Sequence, residues 1–217
     1  MRDRSATAAT APPNTVVTGP STERGRRVRT QLVVAARLVF ERDGFLGARV
    51  TDIAAEAGVS HGTFYTYFGS KAEVFRVLMS ETMDQLYDSL GEADDAAPTS
   101  DPVAIIDRAN RRFVAMYRRN AALMALFEQV TTFDPEVRAL RLAVRRRIVK
   151  RVAHSIERLQ AEGQADEGLD PHCSANALVA MVNGLVHYWL VLGDEDLDEE
   201  LLVQTMTRLW ARSIGLP

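Results

Sequence analysis

Asp-Pro occurs three times in the chain, at Asp101-Pro102, Asp134-Pro135 and Asp170-Pro171. An aspartate at the N-cap accepts hydrogen bonds from the first backbone N–H groups of a helix. Proline is favoured directly after it, because its missing N–H would have no partner there. The three pairs therefore predict helices that begin near residues 102, 135 and 171, and they constrain the chain towards an all-α fold.

Helical periodicity accounts for much of the remaining sequence. An amphipathic stripe ends near Gly44 and consists of Leu32, Ala35, Ala36, Val39 and Phe40. A short helix is predicted around Ile53 and another over residues 60–68. Ser70 and Glu73 form a capping box that begins a fourth helix. In all we predict about nine helices and no strand.

Composition divides the chain into segments. Residues 1–22 are rich in Ala, Thr and Pro and have too little apolar surface to fold, so we expect a disordered tail. The fourth helix is predicted to end near Leu90, where a linker over 91–100 follows. Residues 1–71 hold 10 Lys and Arg against 6 Asp and Glu, whereas the remainder is acidic. This weak asymmetry suggests that the N-terminal part meets a polyanion.

The cysteine and histidine content limits the possible chemistry. Cys173 is the one cysteine, so no intrachain disulfide can form, which fits a reducing cytoplasm. The four histidines and this cysteine show no repeated ligand spacing, so we predict no metal site. No cofactor motif is present either.

No apolar run is long and uninterrupted enough to predict a membrane span. The longest, ALVAMVNGLVHYWLVLG, contains Asn183, Gly184 and His187, and we interpret it as a buried helix. The N-terminus lacks the apolar core of a signal peptide. We therefore expect a cytoplasmic protein that has no membrane partner.

The stretch GVSHGTFYTYF, residues 58–68, supports two interpretations. It satisfies the G-x-S-x-G pattern of a hydrolase, in which Ser60 would be a nucleophile on a turn after a β-strand. The preceding residues, RVTDIAAEAG, form a poor strand and a good short helix. An enzyme that uses Ser60 is therefore the least favoured alternative.

The second interpretation, a helix-turn-helix, explains each residue of the stretch. Gly58 suits a left-handed backbone after the first helix, Val59 fills the corner, and Ser60 caps the next helix. Phe64 and Phe68, four residues apart, face the core. The side predicted to point outward carries His61, Gly62, Thr63, Tyr65, Thr66 and Tyr67. Such a polar and aromatic surface suits contacts with phosphates and base edges.

The run AARLVFERDGFLGARVTDIAAEAGVSHGTFYTYFGSKAEVF resembles the DNA-binding domain of the TetR family of bacterial transcriptional regulators. The resemblance covers roughly residues 29–73. It implies that the helix from Ser60 enters the major groove. The residues that the resemblance assigns to base contacts are Thr51, His61, Gly62, Thr63 and Tyr65, and those assigned to phosphate contacts are Thr66, Tyr67 and Lys71.

One residue departs from the family pattern. Arg49 stands where members usually have Ser or Thr as the N-cap before VTDIA. Either this cap is lost or Arg49 contacts phosphate instead. The run RGRRVR, residues 24–29, resembles the basic arms of some members, which follow the minor groove.

The resemblance also implies dimerisation through the last two helices. A two-fold dimer reads two half-sites, which a single recognition helix does not. Stripes on these helices are the candidate interface, although such stripes more often belong to an intramolecular core. The predicted interface residues are Ala177, Met181, Gly184, Tyr188, Leu202, Met206, Leu209 and Trp210.

The middle helices contain many large, adaptable side chains. Core packing is the commoner role for any one of them, but as a group they are predicted to line an apolar ligand cavity. The predicted lining consists of Phe113, Met116, Tyr117, Met124, Phe127, Asn183, His187 and Trp189. No buried cation is expected there, and the basic run 138–151 is interpreted as a solvated helix. We therefore predict a mainly hydrophobic ligand.

These patterns predict a TetR-like transcriptional regulator in three parts: a tail (1–22), a helix-turn-helix domain (23–73) and a ligand-binding and dimerisation domain (74–217). Its expected partners are a double-stranded palindromic DNA operator, a small-molecule effector and a second copy of the chain. A repressor is favoured. The alternative of another class is a small-molecule-binding protein without regulatory DNA binding, against which the basic N-terminal part argues.

Overall fold

The computed structural model describes residues 22–95, 101–193 and 197–217. Within these ranges the regular elements are all helical, which confirms the predicted all-α fold. The α-helices are α1 (Glu23–Gly47), α2 (Val50–Glu56), α3 (His61–Tyr67), α4 (Lys71–Asp95), α5 (Pro102–Arg119), α6 (Ala121–Thr131), α7 (Pro135–Ala161), α8 (Pro171–His187) and α9 (Glu199–Ser213), and a π-helical turn (Tyr188–Leu192) follows α8. The predicted tail lies outside the described residues apart from Thr22.

The three Asp-Pro pairs begin helices as predicted. Asp101, Asp134 and Asp170 are the N-caps of α5, α7 and α8, and each side chain accepts a hydrogen bond from a backbone N–H of the first turn. Asn120 separates α5 from α6. Local capping chemistry therefore sets where these helices begin.

Two helix ends differ from the prediction. The backbone turns at Gly44, which has a φ of 71°, but one more short turn follows before α1 ends at Gly47. α4 continues past Leu90 to Asp95, so the first half of the predicted linker is helical and residues 96–100 lie outside the described part. Helical periodicity continued through GEADD, where composition alone suggested a linker.

The capping box at the start of α4 forms with one change of partner. The Ser70 hydroxyl accepts a hydrogen bond from the Glu73 N–H at 3.1 Å, as predicted. The Glu73 carboxylate accepts from the Gly69 N–H at 2.7 Å, one residue earlier than expected. This arrangement fixes the turn that joins α3 to α4.

The N-terminal helices share a core with the rest of the chain. α1 packs against α2 and α4, and α2 packs against α3. Phe40 and Phe45 of α1 enclose Phe75 of α4, with ring centroids 5.2 and 5.1 Å away. The predicted boundary between residues 73 and 74 falls in the first turn of α4, and the hydrophobic core continues across it.

The C-terminal helices form a second layer of packing. α7 lies along α8, α5 lies along α9, and α4 contacts both α5 and α7. A smaller core joins α7 and α8 to the end of α9 through Ile156, Leu178 and Ile214. Met181 and Trp210 pack against both this core and the larger one.

The long apolar run predicted to be a buried helix forms most of α8 and the π-helical turn. A window within Pro171–Leu192 has a mean hydropathy of 1.5, and by length and composition alone this segment could cross a membrane. Only 22% of that window is buried within one protomer, so the predicted burial is wrong for most of it. One side packs on α7, and most of the other residues are half-buried.

Candidate DNA-binding surface and ligand cavity

The turn between α2 and α3 has the predicted helix-turn-helix geometry. Gly58 adopts a φ of 67°, the left-handed conformation that favours glycine. The N–H of Val59 then donates to the Ala54 carbonyl at 3.0 Å, and the Val59 side chain packs against the core. This tight turn sets the direction of α3.

Ser60 is the N-cap of α3. Its hydroxyl oxygen accepts a hydrogen bond from the Thr63 N–H at 3.1 Å and lies 2.8 Å from the Thr63 hydroxyl. A helix, α2, precedes it where a hydrolase nucleophile needs a β-strand. The local structure therefore supports the capping role.

α3 has one buried face and one exposed face. Phe64 and Phe68 are buried as predicted, with their ring centroids 5.8 Å apart. On the opposite side His61 and Tyr65 are exposed, and their rings meet edge to face at 5.0 Å. Thr66 is exposed as well. The phenylalanines thus anchor a surface formed by polar and aromatic groups.

Two residues predicted to point outward are only half exposed. Tyr67 packs partly against the hydrophobic core. Thr63 is half-buried, and its hydroxyl is close to that of Ser60. Both are therefore less exposed than predicted, Thr63 through its contact with Ser60 and Tyr67 through its contact with the core.

Gly62 has an ordinary helical backbone. It does not share the positive φ of Gly58, so the two glycines differ in their role. A Cβ built on Gly62 would come within 3.9 Å of the Ser60 hydroxyl oxygen, an ordinary contact distance. The fold of one protomer therefore has room for a larger residue at this exposed position.

Arg49 is the N-cap residue of α2, but its side chain makes no capping hydrogen bond. Of the two possibilities considered from the sequence, the loss of the cap is therefore observed. The Arg49 carbonyl accepts the Asp52 N–H at 3.1 Å, and the side chain is exposed beside that of Thr51. A phosphate contact by Arg49 remains a prediction.

Lys71 binds the end of α1. Its ammonium group donates to the carbonyls of Phe45, Leu46 and Ala48 at 2.8, 3.2 and 2.9 Å. The same group lies 5.0 Å from the centroid of the Phe45 ring. An ammonium has three N–H donors, so a phosphate contact would require Lys71 to exchange one of these partners.

The basic run 24–29 is helical. Thr22 is the N-cap of α1, so the described part of this run is the start of that helix and not an extended arm. Arg26 pairs with Glu23 at 2.8 Å, and Arg29 lies over the Phe68 ring at 5.2 Å. A minor-groove path for these residues would require α1 to unwind.

A cavity of about 650 Å³ lies among the C-terminal helices. Its walls come from α4 to α9, where the larger and the smaller hydrophobic cores meet. Apolar atoms dominate the walls. Its volume is within the range of roughly 300–1,000 Å³ that is typical of small-molecule sites.

Five of the eight predicted ligand-binding residues line this cavity: Phe113, Met116, Tyr117, Met124 and Asn183. The other three do not. Phe127 is buried in the core, and Trp189 lies against the Arg118 guanidinium at 5.1 Å. His187 lies outside the cavity lining, and its Nδ1 atom shares a hydrogen bond with the Tyr117 hydroxyl at 2.9 Å.

Tyr117 is a neutral polar group at the wall. Burial raises the pKa of its hydroxyl, the nearby Glu128 carboxylate raises it further, and Arg141 opposes both. The phenol therefore stays protonated throughout the ordinary pH range. Tyr117 offers a hydrogen-bonding group without a charge.

The sequence interpretation missed the contribution of α7. Arg141, Arg145, Arg151 and Arg158 line the cavity. None of them is fully buried, but the first three are half-buried beside the cavity, so α7 is not simply a solvated helix. The arginines share a face with Ile148, Val152 and Leu159. The spacing of these aliphatic residues could have indicated that the helix faces an interior.

Other basic residues of the same run are structural. The Arg138 guanidinium donates to the carbonyls of Thr131 and Thr132 at 2.9 Å and closes the end of α6. Arg147 pairs with Asp84 at 2.6 Å and lies over the Tyr87 ring. The run therefore fastens α7 to its neighbours instead of forming a nucleic-acid surface.

The predicted dimer residues fall into two groups. Ala177, Tyr188 and Leu209 are exposed, and Met181, Gly184 and Trp210 are half-buried. Leu202 and Met206 are buried within the protomer, which corrects their assignment to the interface. Their side of α9 packs on α5, where the Asn110 amide donates to the Thr207 hydroxyl at 3.1 Å. The exposed apolar residue that the prediction missed on α9 is Leu201.

Comparisons with known proteins cover both parts of the chain. A model described as bacterial regulatory proteins, tetR family, matches residues 32–78. A model of the C-terminal domain of transcriptional regulator EthR matches residues 106–215. The first match extends across the predicted boundary between residues 73 and 74 into α4, and the second lies wholly in the C-terminal part.

Individual relatives are similar over most of their length. HTH-type transcriptional regulator TtgR of Pseudomonas putida is 25% identical over 182 residues, which are 79% of this chain and 84% of the relative. The fatty acid metabolism regulator protein of Bacillus subtilis is 24% identical, over 85% and 94% of the two chains. The structure of FadR from B. subtilis in complex with stearoyl-CoA matches with a TM-score of 0.71 and 21% identity, over 86% and 99%.

Proposed function

Because this chain belongs to the TetR family of bacterial regulatory proteins, we propose that it is a cytoplasmic repressor of transcription. In this proposal a homodimer binds a palindromic DNA operator and is released by a small, mainly hydrophobic ligand. The observation that carries the proposal is the exposed polar and aromatic face of α3, which is anchored by the buried Phe64 and Phe68.

Gly62 supports the insertion of α3 into a groove. Glycine inside a helix costs roughly 0.5–1 kcal/mol relative to alanine, and the protomer has room for a Cβ at this position. The fold of the protomer therefore does not explain the glycine. A close approach of the first turn of α3 to DNA does explain it, since a Cβ there would meet the base edges or the backbone.

A gel shift with the DNA upstream of the gene tests the DNA-binding part. We expect Gly62→Ala and Tyr65→Ala each to weaken specific binding by about 1–3 kcal/mol without lowering the thermal stability of the protein. His61→Ala should also weaken DNA binding. His154→Ala is the matched control and should not weaken it, because His154 is an exposed histidine on α7. If the α3 variants bind as tightly as the parent, α3 is not the recognition helix.

The uncovered surface of α8 and α9 supports the homodimer. Tyr188, Leu192 and Leu209 are 57%, 60% and 52% exposed, which leaves apolar surface on the same two helices that the family resemblance assigns to dimerisation. A two-fold dimer would bring two α3 helices to successive turns of B-DNA, about 34 Å apart. Burial of this surface would explain why α8 is so apolar.

Native mass spectrometry tests the dimer. Leu209→Glu should convert the dimer to a monomer, because a buried unpaired carboxylate opposes association. Leu142→Glu is a matched control, since Leu142 is 46% exposed on α7, away from these two helices. A dimer that survives Leu209→Glu as well as it survives Leu142→Glu would place the interface elsewhere.

Contacts between α6 and α1 support release by a ligand. Met124 of α6 lines the cavity, and Phe133 just beyond α6 meets Phe45 of α1, with the ring centroids 5.8 Å apart. α1 in turn packs on α2 of the DNA-binding unit. A ligand that moves α6 can therefore change the spacing of the two α3 helices, to the extent of its differential affinity for the two states.

A relative that is a fatty acid metabolism regulator and a similar structure in complex with stearoyl-CoA support a hydrophobic ligand for this chain. Addition of an apolar ligand should release the operator in the gel shift. Phe133→Ala should uncouple the two sites, so that the ligand still binds but no longer releases DNA. Equal release from the parent and from Phe133→Ala would exclude this route.

A further inference from the structure

The cavity lining is long on one helix. On α7 it extends from Arg141 to Leu159, which is about 27 Å along a helix. A lining of this length suits an extended chain.

The surrounding helices present an apolar wall opposite α7. Leu86 of α4 and Val179 of α8 are part of this wall, and α5 contributes a stripe at helical spacing, Pro102, Ile105, Ile106, Ala109, Phe113 and Met116. An occupant that covered these side chains would gain free energy from burial of apolar surface. This part of the cavity suits a hydrocarbon tail.

Arg145 of α7 interrupts this apolar lining. It is half-buried, and its Nη1 and Nη2 atoms donate to the Oδ1 and carbonyl O atoms of Asn176 on α8 at 3.1 and 3.4 Å. The Asn176 amide is itself held, because it donates to the His172 carbonyl at 2.9 Å. The guanidinium is therefore held in position by two neutral acceptors of Asn176.

Arg141, one turn earlier on α7, differs in its partners. It forms an ion pair with Glu128 and lies over the Phe127 ring at 5.6 Å. Its charge is therefore compensated within the protein. Arg145 bears a charge at an apolar wall with only an amide and a carbonyl as acceptors, which costs free energy that a bound anion would offset.

We propose that the cavity binds a single-chain amphiphile with an anionic head group, a carboxylate or a phosphate, and that Arg145 binds the head. The apolar stripe of α5 covers the tail. This deepens the ligand-responsive function proposed above and rests on it for its regulatory consequence. If Arg145 served only to join α7 to α8, charged and uncharged chains would bind equally well.

Four probes with the same sixteen-carbon tail test the head-group preference: hexadecanoate, hexadecyl phosphate, hexadecanol and hexadecyltrimethylammonium, each below its micelle concentration. Trp210 lines the cavity, so its fluorescence reports occupancy in a Trp189→Phe background. We expect one or both anions to bind about ten- to a hundredfold tighter than hexadecanol, with the cation weakest. Comparison of the two anions distinguishes a carboxylate from a phosphate ligand.

Variants of neighbouring arginines assign the effect to one residue. Arg145→Met should remove the preference for the anions over hexadecanol, and Arg145→Lys should retain part of that preference. Arg146→Met is the matched control, because Arg146 is exposed on the same turn and lies outside the cavity lining. An anion that binds the Arg145 and Arg146 methionine variants equally well overturns the assignment.

The probe series on the parent protein does not depend on the folding of any variant. Hexadecanol or the cation binding as tightly as both anions would overturn the proposal. These measurements contain no DNA, so they can fail while operator binding and release by another apolar compound succeed. Conversely, binding of the anions without any gel shift would support the ligand class and contradict the regulatory function.

Discussion

The DNA-binding unit, α1 to α3, and the cavity-containing body, α4 to α9, differ in how completely side chains fill their interior. In the first, four buried phenylalanines and several caps hold the helices around a turn of four residues, in a core that continues into α4. In the second, long helices surround about 650 Å³ of space that side chains do not fill. A unit that positions a helix on DNA needs rigidity, whereas a unit that senses a ligand needs room.

The largest expected effect is at the centre of the rigid unit. Phe64→Ala should lower the free energy of unfolding by about 3–5 kcal/mol, because Phe64 is completely buried and its loss leaves a cavity. Tyr65→Ala, the adjacent exposed residue, should change it by only about 0.5 kcal/mol. Urea denaturation measures both values. Similar losses for the two variants would contradict the division of α3 into a buried and an exposed face.

An alanine-to-leucine substitution in each region tests whether one interior is filled and the other is open. Ala36→Leu in α1 should cost about 1–3 kcal/mol of stability, because Ala36 is fully buried in a filled core. Ala109 lines the cavity, so Ala109→Leu should cost much less stability, about 0.5 kcal/mol or below. It should, however, reduce the affinity for an apolar ligand. If both variants lose equal stability by urea denaturation, the space beside Ala109 is not open in solution.

Removal of one helix cap from each region should separate their functions. Ser60→Ala and Asp134→Ala each remove an N-cap, of α3 and α7, and should each cost about 1 kcal/mol. Ser60→Ala should weaken operator binding in a gel shift more than hexadecanoate binding by fluorescence, and Asp134→Ala should do the reverse. Equal loss of both activities in each variant would mean that the regions do not act separately.

The smallest expected effect on stability concerns an ion pair on the surface of the cavity-containing body. Hydrogen bonds from Arg111 and then from Gln204 lower the pKa of Glu200 from 4.5 to about 2. A depressed pKa means that the ionised carboxylate stabilises the folded state above about pH 4.5 and that this contribution is lost as the pH falls to about 2. Both groups are exposed, so solvent screens the interaction and the effect is small.

Thermal unfolding between pH 2 and pH 5 measures this contribution. Arg111→Gln should flatten the decrease of the melting temperature in that window, whereas the same change at the exposed Arg146 should not. A parallel decrease in both variants would show that the pair of Arg111 and Glu200 contributes nothing to the acid sensitivity.

Much of the DNA-binding unit could be predicted from the sequence because its signals are local. The Ser60 cap, the left-handed Gly58 and the buried Phe64 and Phe68 lie within eleven residues, and each follows from short-range geometry. The same reasoning did not predict how far Tyr67 is covered. Its half-burial depends on packing against the hydrophobic core, which no local pattern specifies.

In the body, the sequence predicted the helices and missed part of the surfaces between them. The Asp-Pro pairs marked three helix starts correctly, because capping involves only neighbouring residues. Leu202 and Met206 were wrongly predicted to lie in the dimer interface, because an apolar stripe does not indicate which helix it packs on. The outcome depended on α5, a helix that lies about ninety residues earlier in the chain.

The amino-acid sequence by itself determined the all-α class, the starts of the capped helices and the local form of the helix-turn-helix, since hydrogen bonds within one or two turns decide them. Only the tertiary structure decided that Lys71 binds the end of α1, that Gly62 has room for a side chain, and that Arg145 faces a cavity. Each of these depends on which distant helix lies opposite, and the charge of an arginine gives no indication of whether solvent or an apolar wall surrounds it.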